Sequence, residues 1–424
     1  MTDHTSLATG VPMGYDNLLI VLAIAAGVPL LLATVPRLPL PGAVLEILAG
    51  IVLGPAVLNV VKADTAVNML SVIGLGFLLF LAGLEIDIQQ LRGPRAQLIG
   101  TGLFASTALA AAVGWLMHIA GLVENPLLIG TALMATALGL LVPILKDSGA
   151  IDQPVGQLTI GGASSGEVGA VILLSLLFTE RSSGAGSKIL LLLALAGISA
   201  LIVAASVRIG QWAWLTGTLD RLADTSAQIR IRLAMLLVVG LSAMALHLGF
   251  EAILGAFVAG AVLRLVDPDA ERSHPRFHMK LAGLGYGFLV PVFFVTSGIQ
   301  FNLGALFENA GTVLRVPMFL AALLLVRGLP ALLYRAAGLS WPDVAAGALL
   351  QATSLPVIVA AATIGLKLDV IRPENASALV AAGLLSVVFF PLIALPLLHR
   401  SRQHPAADGR TQRGTGHPRS AAHP

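Results

Sequence analysis

Pro154-Val155-Gly156-Gln157-Leu158-Thr159-Ile160-Gly161-Gly162-Ala163-Ser164-Ser165-Gly166-Glu167-Val168-Gly169-Ala170-Val171-Ile172-Leu173-Leu174-Ser175-Leu176-Leu177-Phe178 is long and apolar enough to cross a bilayer, and it carries a single charge, Glu167. An ionised acid near the middle of a bilayer costs at least a few kcal/mol, so such residues face an ion path or a partner charge. A proton or a cation removes that cost, which makes Glu167 a candidate carrier site. Gly162, Gly166, Gly169 and Ala170 on the same helix allow close helix contact or a watery approach to the carboxylate.

The rest of the chain agrees with a membrane setting. With 57% hydrophobic and 11% charged residues and a mean hydropathy of +0.91, it cannot be a soluble globule, whose charged share is about a quarter. The formal net charge is only +3. Its excess sits in short loops and a tail, which excludes a nucleic-acid partner. There are no cysteines, which removes disulfides and thiolate metal sites. No Lys or Arg precedes the first apolar run, where Asp3 and Asp16 stand instead, so the first span is expected to be retained rather than cleaved as a signal peptide.

At about 20 residues per crossing, thirteen helices are expected, near 17–35, 43–61, 67–84, 97–120, 127–145, 155–178, 188–207, 231–249, 251–265, 283–300, 311–335, 343–366 and 376–398. Residues 1–16 form a short N-terminal segment, and residues 400–424, with almost nothing apolar to bury, read as a disordered basic tail. An external N-terminus puts 18 Lys and Arg on the cytoplasmic side, the tail included, against six (Lys62, Arg181, Lys188, Arg315, Lys367, Arg372) on the other. That bias supports a multi-pass protein of the plasma or inner membrane with its C-terminus in the cytoplasm.

Two parts of the chain echo each other. Glu46–Gly54 parallels Glu251–Ala259, Phe80–Asp87 parallels Phe294–Asn302, and Met134–Gly139 parallels Gln351–Pro356, in the same order. Units of six helices at 17–178 and 231–398, with 188–207 as an odd linker helix, enter the membrane from opposite sides. The expected architecture is therefore an all-α membrane protein of two inverted six-helix repeats. Carriers of that symmetry place their substrate where interrupted helices from both repeats meet.

The fifth and twelfth helices are the candidates for interruption. One combines Thr136, Ala137, Gly139 and Pro143, the other Gln351, Thr353, Ser354 and Pro356. Both pair backbone that leaves a helix easily with hydroxyls that satisfy freed groups. Opposed half-helix ends supply carbonyls for a cation and N–H groups for an anion. Arg327, the other charge at membrane depth, either neutralises Glu167 or holds the half-helix ends by bonding their carbonyls. Glu46 and Glu251 read as interfacial or helix-start charges rather than ligands, and His118 and His247 as interface histidines. No dinucleotide fingerprint, His-Glu-x-x-His pair or calcium loop occurs, and no nucleotide-binding domain is expected.

Leu78–Asp87, Gly255–Gly260 and Pro291–Gly298 resemble the signature stretches of the monovalent cation:proton antiporter-2 family, the Kef-type sodium/hydrogen exchanger domain. The resemblance covers residues 17–398. It implies a homodimer in which a core bundle moves against a dimerisation bundle, and crossed interrupted helices beside a carboxylate on the next helix, the sodium/proton antiporter-like fold. By position it assigns Thr136 and Ser354 to the crossing, Glu167 to the ion-binding carboxylate, and Arg327 to the basic residue before the second interruption. The family usually carries Asp at the carboxylate, preceded by Asn, Gln or a second Asp, whereas this chain has Gly166-Glu167.

A single longer acid leaves one titratable site, so the expectation is electroneutral exchange of one proton for one Na⁺ or K⁺ with no cofactor and no enzymatic step. The alternatives are a Kef-like potassium efflux channel or a non-transporting membrane sensor on the same scaffold. A channel would normally show a carbonyl-lined filter string, which is absent. An organic-anion symporter would want its Arg facing substrate with no competing acid.

Overall fold

The computed structural model describes residues 15–34, 41–85, 94–177, 185–210, 228–267 and 275–403. In chain order the helices are α1 (Tyr15–Thr34), α2 (Gly42–Leu53), α3 (Thr65–Leu84), α4 (Pro94–Ile119), α5 (Pro126–Met134), α6 (Leu138–Asp147), α7 (Pro154–Leu177), α8 (Ala185–Gly210), α9 (Ile229–Leu248), α10 (Ala252–Val266), α11 (Pro275–Leu284), α12 (Val290–Ile299), α13 (Leu303–Phe307), α14 (Ala310–Leu323), α15 (Trp341–Gln351), α16 (Pro356–Lys367) and α17 (Pro373–Gln403). A π turn, Gly285–Leu289, joins α11 to α12. A second, Leu324–Gly328, leads from α14 into a 3₁₀ stretch, Leu329–Ala337.

Among the described residues, nine helical stretches are long and apolar enough to cross a membrane, and four shorter apolar helices join them. Together they fall on the thirteen segments expected from the sequence. The second segment differs from expectation: α2 ends at Leu53 rather than near 61, because Gly54 leaves helical geometry and Val57 to Val61 fold back onto Val52, Leu53 and Gly54 through backbone bonds. The last helix runs to Gln403, into what reads from sequence as tail. Segment 1–14 and the tail from 404 lie outside the described residues.

Helix ends are marked by side chains that satisfy the first free N–H groups. Asp64 caps α3 by accepting from the Val67 N–H at 2.9 Å, and Asn17 adds a 3.0 Å bond to the same carboxylate. These bonds hold the Asp64 carboxyl below its ordinary range. Asn125 caps α5, Asn302 α13, Asn309 α14 and Ser340 α15 in the same manner.

The bundle is drawn together by small residues. Gly83 of α3 and Gly260 of α10 face one another so closely that a Cβ on either would fall on the partner backbone, at Phe257 O and Phe80 O respectively. Gly50 of α2 and Gly298 of α12 make the same kind of approach, against Val295 O and Ile47 O. Apolar helices in lipid gain little from hydrophobicity against each other, so association rests on such close packing. Burial sorts the helices: in the most apolar window of Trp341–Lys367 83% of residues are buried, against 17% in α1 and in α9. The broken α15–α16 pair lies at the centre, and the continuous α1 and α9 lie at the periphery.

Candidate functional site

The two interruptions meet at the middle of this bundle. Between α5 and α6, Ala135 is extended (φ −69°, ψ 154°) and Ala137 caps α6 with φ −84° and ψ 81°. Between α15 and α16 the chain leaves the helix at Ala352, and Pro356 restarts it at its first position, where a missing N–H costs nothing. The freed groups bond one another: Ala137 N–H donates to Thr353 O at 2.8 Å, and the Thr136 hydroxyl donates to Gln351 O at 2.8 Å. Thr136, Ala137, Thr353 and Ser354 thus fall within the breaks. Gly139 does not: it lies in the first turn of α6, so the helix breaks before the residue that looked like its breaker.

Glu167 is 3% exposed, on α7, and accepts a 3.3 Å hydrogen bond from the Leu138 N–H, the first residue of α6. A helix start carries a partial positive charge and unpaired donors. The carboxylate therefore sits where the first break presents backbone N–H. One such bond at 3.3 Å leaves most of its acceptor capacity unused.

Arg327 is 2% exposed and lies on the second π turn. Its Nε donates to the Thr136 hydroxyl at 2.9 Å, one terminal nitrogen to Ser106 Oγ at 3.0 Å, and the other to Gly162 O at 2.7 Å. Its guanidinium packs against Gly166, where a Cβ would collide with it. The donors are committed to α4, the first break and α7, and no ion pair joins Arg327 to Glu167. These contacts tie Arg327 to the first break through the Thr136 hydroxyl and to α7 through Gly162 O, rather than to carbonyls of the half-helix ends. Ser106 returns a bond to Val326 O at 2.9 Å, closing the brace.

Sequence reasoning missed several residues here. Tyr334 donates to Leu158 O at 2.9 Å and receives the Gln351 side-chain amide, tying α15 to α7. Gly162 is small because Tyr334 and Gln351 occupy the space a side chain would need. Ser386 of α17 accepts from the Ser354 N–H at 3.1 Å and lies 3.0 Å from Ser354 O. The hydroxyls of Ser354 and of Ser164, one turn before Glu167, are buried without a hydrogen-bond partner. Ser106, Ser386 and Tyr334 carry no sequence signal of their own, since their partners lie far along the chain.

Glu46 departs from its expected place at a helix mouth: it lies inside α2 and is 5% exposed. Glu251 does precede a helix, at the start of α10. His118 and His247 sit in the last turns of α4 and α9. Among the described residues no group of three or more His, Cys, Asp or Glu side chains is placed to hold a metal ion.

The chain resembles known proteins over nearly its whole length. The family profile described as sodium/hydrogen exchanger, transmembrane, matches residues 21–400. The putative Na⁺/H⁺ antiporter YjbQ of Bacillus subtilis is 30% identical over 418 residues, covering 94% of this chain and 64% of that protein. The chain thus spans about two thirds of that relative's length. The Na⁺/H⁺-K⁺ antiporter GerN of Bacillus cereus is 26% identical over 62% of this chain and 66% of its own. The solved structure of the sodium proton antiporter MjNhaP1 from Methanocaldococcus jannaschii at pH 8 superposes with a TM-score of 0.61 at 18% identity, covering 92% of this chain and 97% of that one. At that identity the likeness speaks for the fold, an all-α membrane antiporter fold, and the profile speaks for descent: this chain belongs to the sodium/hydrogen exchanger family.

Proposed function

We propose that this chain is a secondary transporter that exchanges a monovalent cation, Na⁺ or K⁺, for protons by alternating access, with Glu167 as the group that both occupy. The observation that carries this reading is the placement of Glu167: a buried carboxylate beside the first broken helix, held by one long backbone hydrogen bond from the start of α6. Left ionised and otherwise unmet, such a group is costly. A proton or a cation each completes it, and because they complete the same oxygens they compete, which couples their movements.

The commitments of Arg327 favour exchange over a permanent ion pair, since its donors go to Thr136, Ser106 and Gly162. The Ser354 hydroxyl, buried and without a partner in the second break, suits a cation ligand. Thr136 has one lone pair left for a cation after its bonds to Gln351 and Arg327. Ala137, Gly139, Thr353 and Pro356 then shape the backbone around the ion. One exchanging acid gives one charge for one charge, hence electroneutral exchange.

The inverted repeats 17–178 and 231–398 about the linker helix 188–207, a homodimer, an external N-terminus and a plasma- or inner-membrane location extend this reading. They rest on the internal echoes, the family resemblance and the distribution of Lys and Arg.

The test is proton movement in sealed vesicles on addition of Na⁺ or K⁺, with wild type and Glu167→Gln. The amide keeps the size and the bond from Leu138 but cannot trade a proton for a metal ion, so exchange should fall to background while the protein stays folded. Undiminished exchange in Glu167→Gln would remove the mechanism.

A further inference from the structure

Gly139 reads from the sequence as part of the first interruption, yet it lies in the regular first turn of α6, where a glycine only weakens the helix. Its surroundings supply the reason. A Cβ at 139 would fall 2.8 Å from the hydroxyl oxygen of Tyr286 and 3.8 Å from the ring carbon that bears it. The glycine therefore makes room for one side chain from far along the chain. Gly139 follows Leu138, whose N–H donates to Glu167 at 3.3 Å. Tyr286 thus stands over the same turn that presents the backbone donor of the carboxylate.

Tyr286 belongs to the Gly285–Leu289 π turn, near the middle of the span Arg276–Ile299. Such turns are uncommon and recur at functional positions. The ends of this one are seated on α3: a Cβ on Gly285 would strike Phe77 and Leu81, and Leu289 O fills the space a Cβ of Gly74 would take. Its middle is open, since Phe288 is exposed and nothing lies within 4 Å of a Cβ on Gly287. Tyr286 retains 42% of its surface, whereas Glu167, bonded to the turn beneath it, retains 3%. The tyrosine therefore joins an open margin of the bundle to the turn that closes on Glu167. It comes from a different part of the bundle from α6, which is tied to the second break by the Ala137–Thr353 bond.

We propose that Tyr286 is the gate residue of the exchange: its ring, held over the first turn of α6 by the room Gly139 leaves, closes the approach to Glu167 from one face of the membrane. This rests on the reading of Glu167 as the exchanging acid. The face is the one that bears the α6–α7 and α10–α11 connections. With α7, α8, α9 and α10 each crossing once between them, both connections lie on the same side. α6 runs from the break out to that side, and α11 runs in from it to Tyr286. A carrier keeps its site shut to one side while it is open to the other. An aromatic ring on an anchored turn does so by changing rotamer, with the turn itself still seated on α3. The cation reaches Glu167 from this face when the ring leaves α6.

The chain has no cysteine, so Glu167→Cys places a single thiol at the site itself. Its rate of modification by a small, cationic, membrane-impermeant methanethiosulfonate reads how often a cation reaches that position. The full chain is assayed in sealed vesicles of both orientations, with Asp152→Cys, in the α6–α7 connection, marking the face. Adding Tyr286→Ala to Glu167→Cys should speed modification from the marked face about tenfold, by shifting the balance of closed and open gate, and leave the opposite face unchanged. Gly139→Ala should also speed it from the marked face, because the methyl displaces the hydroxyl. Tyr286→Phe, which removes the colliding oxygen and keeps the ring, should return the Gly139→Ala rate toward that of Glu167→Cys alone. An unchanged rate with Tyr286→Ala overturns the gate. Equal acceleration from both faces, or acceleration by Gly139→Ala that Tyr286→Phe does not reverse, reports a loosened bundle and overturns it too. Modification needs no transport, so the two readings fail separately. Undiminished exchange in Glu167→Gln overturns the exchange, whereas exchange lost in Glu167→Gln with modification indifferent to Tyr286→Ala overturns the gate alone.

Discussion

Arg327 and Thr136 are joined by a 2.9 Å hydrogen bond from the guanidinium Nε to the threonine hydroxyl, which in turn donates to Gln351 O at 2.8 Å. A charge on the π turn after α14 thus reaches the break between α5 and α6, and through it the end of α15. The two interruptions are held as one unit by this chain and by the Ala137–Thr353 backbone bond. Under the exchange proposed above, the binding helices would have to move as such a unit, because a site whose halves moved independently would open to both sides at once.

Breaking the link at its centre should therefore loosen both interruptions. Thr136→Val keeps the shape but leaves Gln351 O and Arg327 Nε unmet in a buried place, at a cost of about 2 kcal/mol. Thr136→Ser keeps the hydroxyl and should behave like wild type. Arg327→Lys should not rescue, since one ammonium cannot replace a planar fork directed at three elements. Thermal unfolding in detergent, followed by size-exclusion recovery, reads all three. Equal stability of Thr136→Val and wild type would show that the brace does not hold the break.

The spans, the family and the burial of one acid, Glu167, were legible in the sequence because each depends on a local and extreme property. Twenty apolar residues have few alternatives to a helix in lipid, and one acid among them stands out. The first break was legible at Thr136 and Ala137 only through the family resemblance and the echo with Gln351–Pro356, not through a residue that forces it. Ala135, Thr136 and Ala137 carry no residue that refuses a helix, and the more conspicuous Gly139 lies in the helix that follows. What unwinds the segment is tertiary: Thr353 O, Gln351 O and Arg327 come from far along the chain and satisfy groups that a continuous helix would have satisfied itself. The second break is better marked because Pro356 cannot donate to the turn before it.

The same packing separates glycines that matter from those that do not. Gly260→Ala places a methyl on Phe80 O where α10 meets α3, whereas nothing lies within 4 Å of the corresponding position at Gly27 or Gly240. Overpacking costs about 1–3 kcal/mol where side chains can yield, and here the obstacle is backbone. Gly260→Ala should lower the folded yield and the melting temperature sharply. Gly27→Ala and Gly240→Ala should be neutral or slightly stabilising, since alanine favours the helix. A well-folded Gly260→Ala would mean that α3 and α10 are not held at this distance.

The second break offers a way to separate binding from support, because two serines there do opposite things. Ser386 receives the Ser354 N–H at 3.1 Å, so Ser386→Ala strands a buried donor and should cost about 1–3 kcal/mol. Ser354 has a buried hydroxyl without a partner, so Ser354→Ala removes an unmet polar group and should leave stability unchanged or higher. If that hydroxyl is a cation ligand, Ser354→Ala should nonetheless weaken Na⁺ or K⁺ binding. The shift in melting temperature between cation-free and cation-saturated protein, which rises with the ratio of concentration to Kd, reads this directly. Ser354→Ala should melt at or above wild type without cation and gain less on its addition, whereas Ser386→Ala should melt lower in both conditions. An undiminished gain in Ser354→Ala would take this hydroxyl out of the ion's ligands, leaving Glu167 to hold the ion with other oxygens.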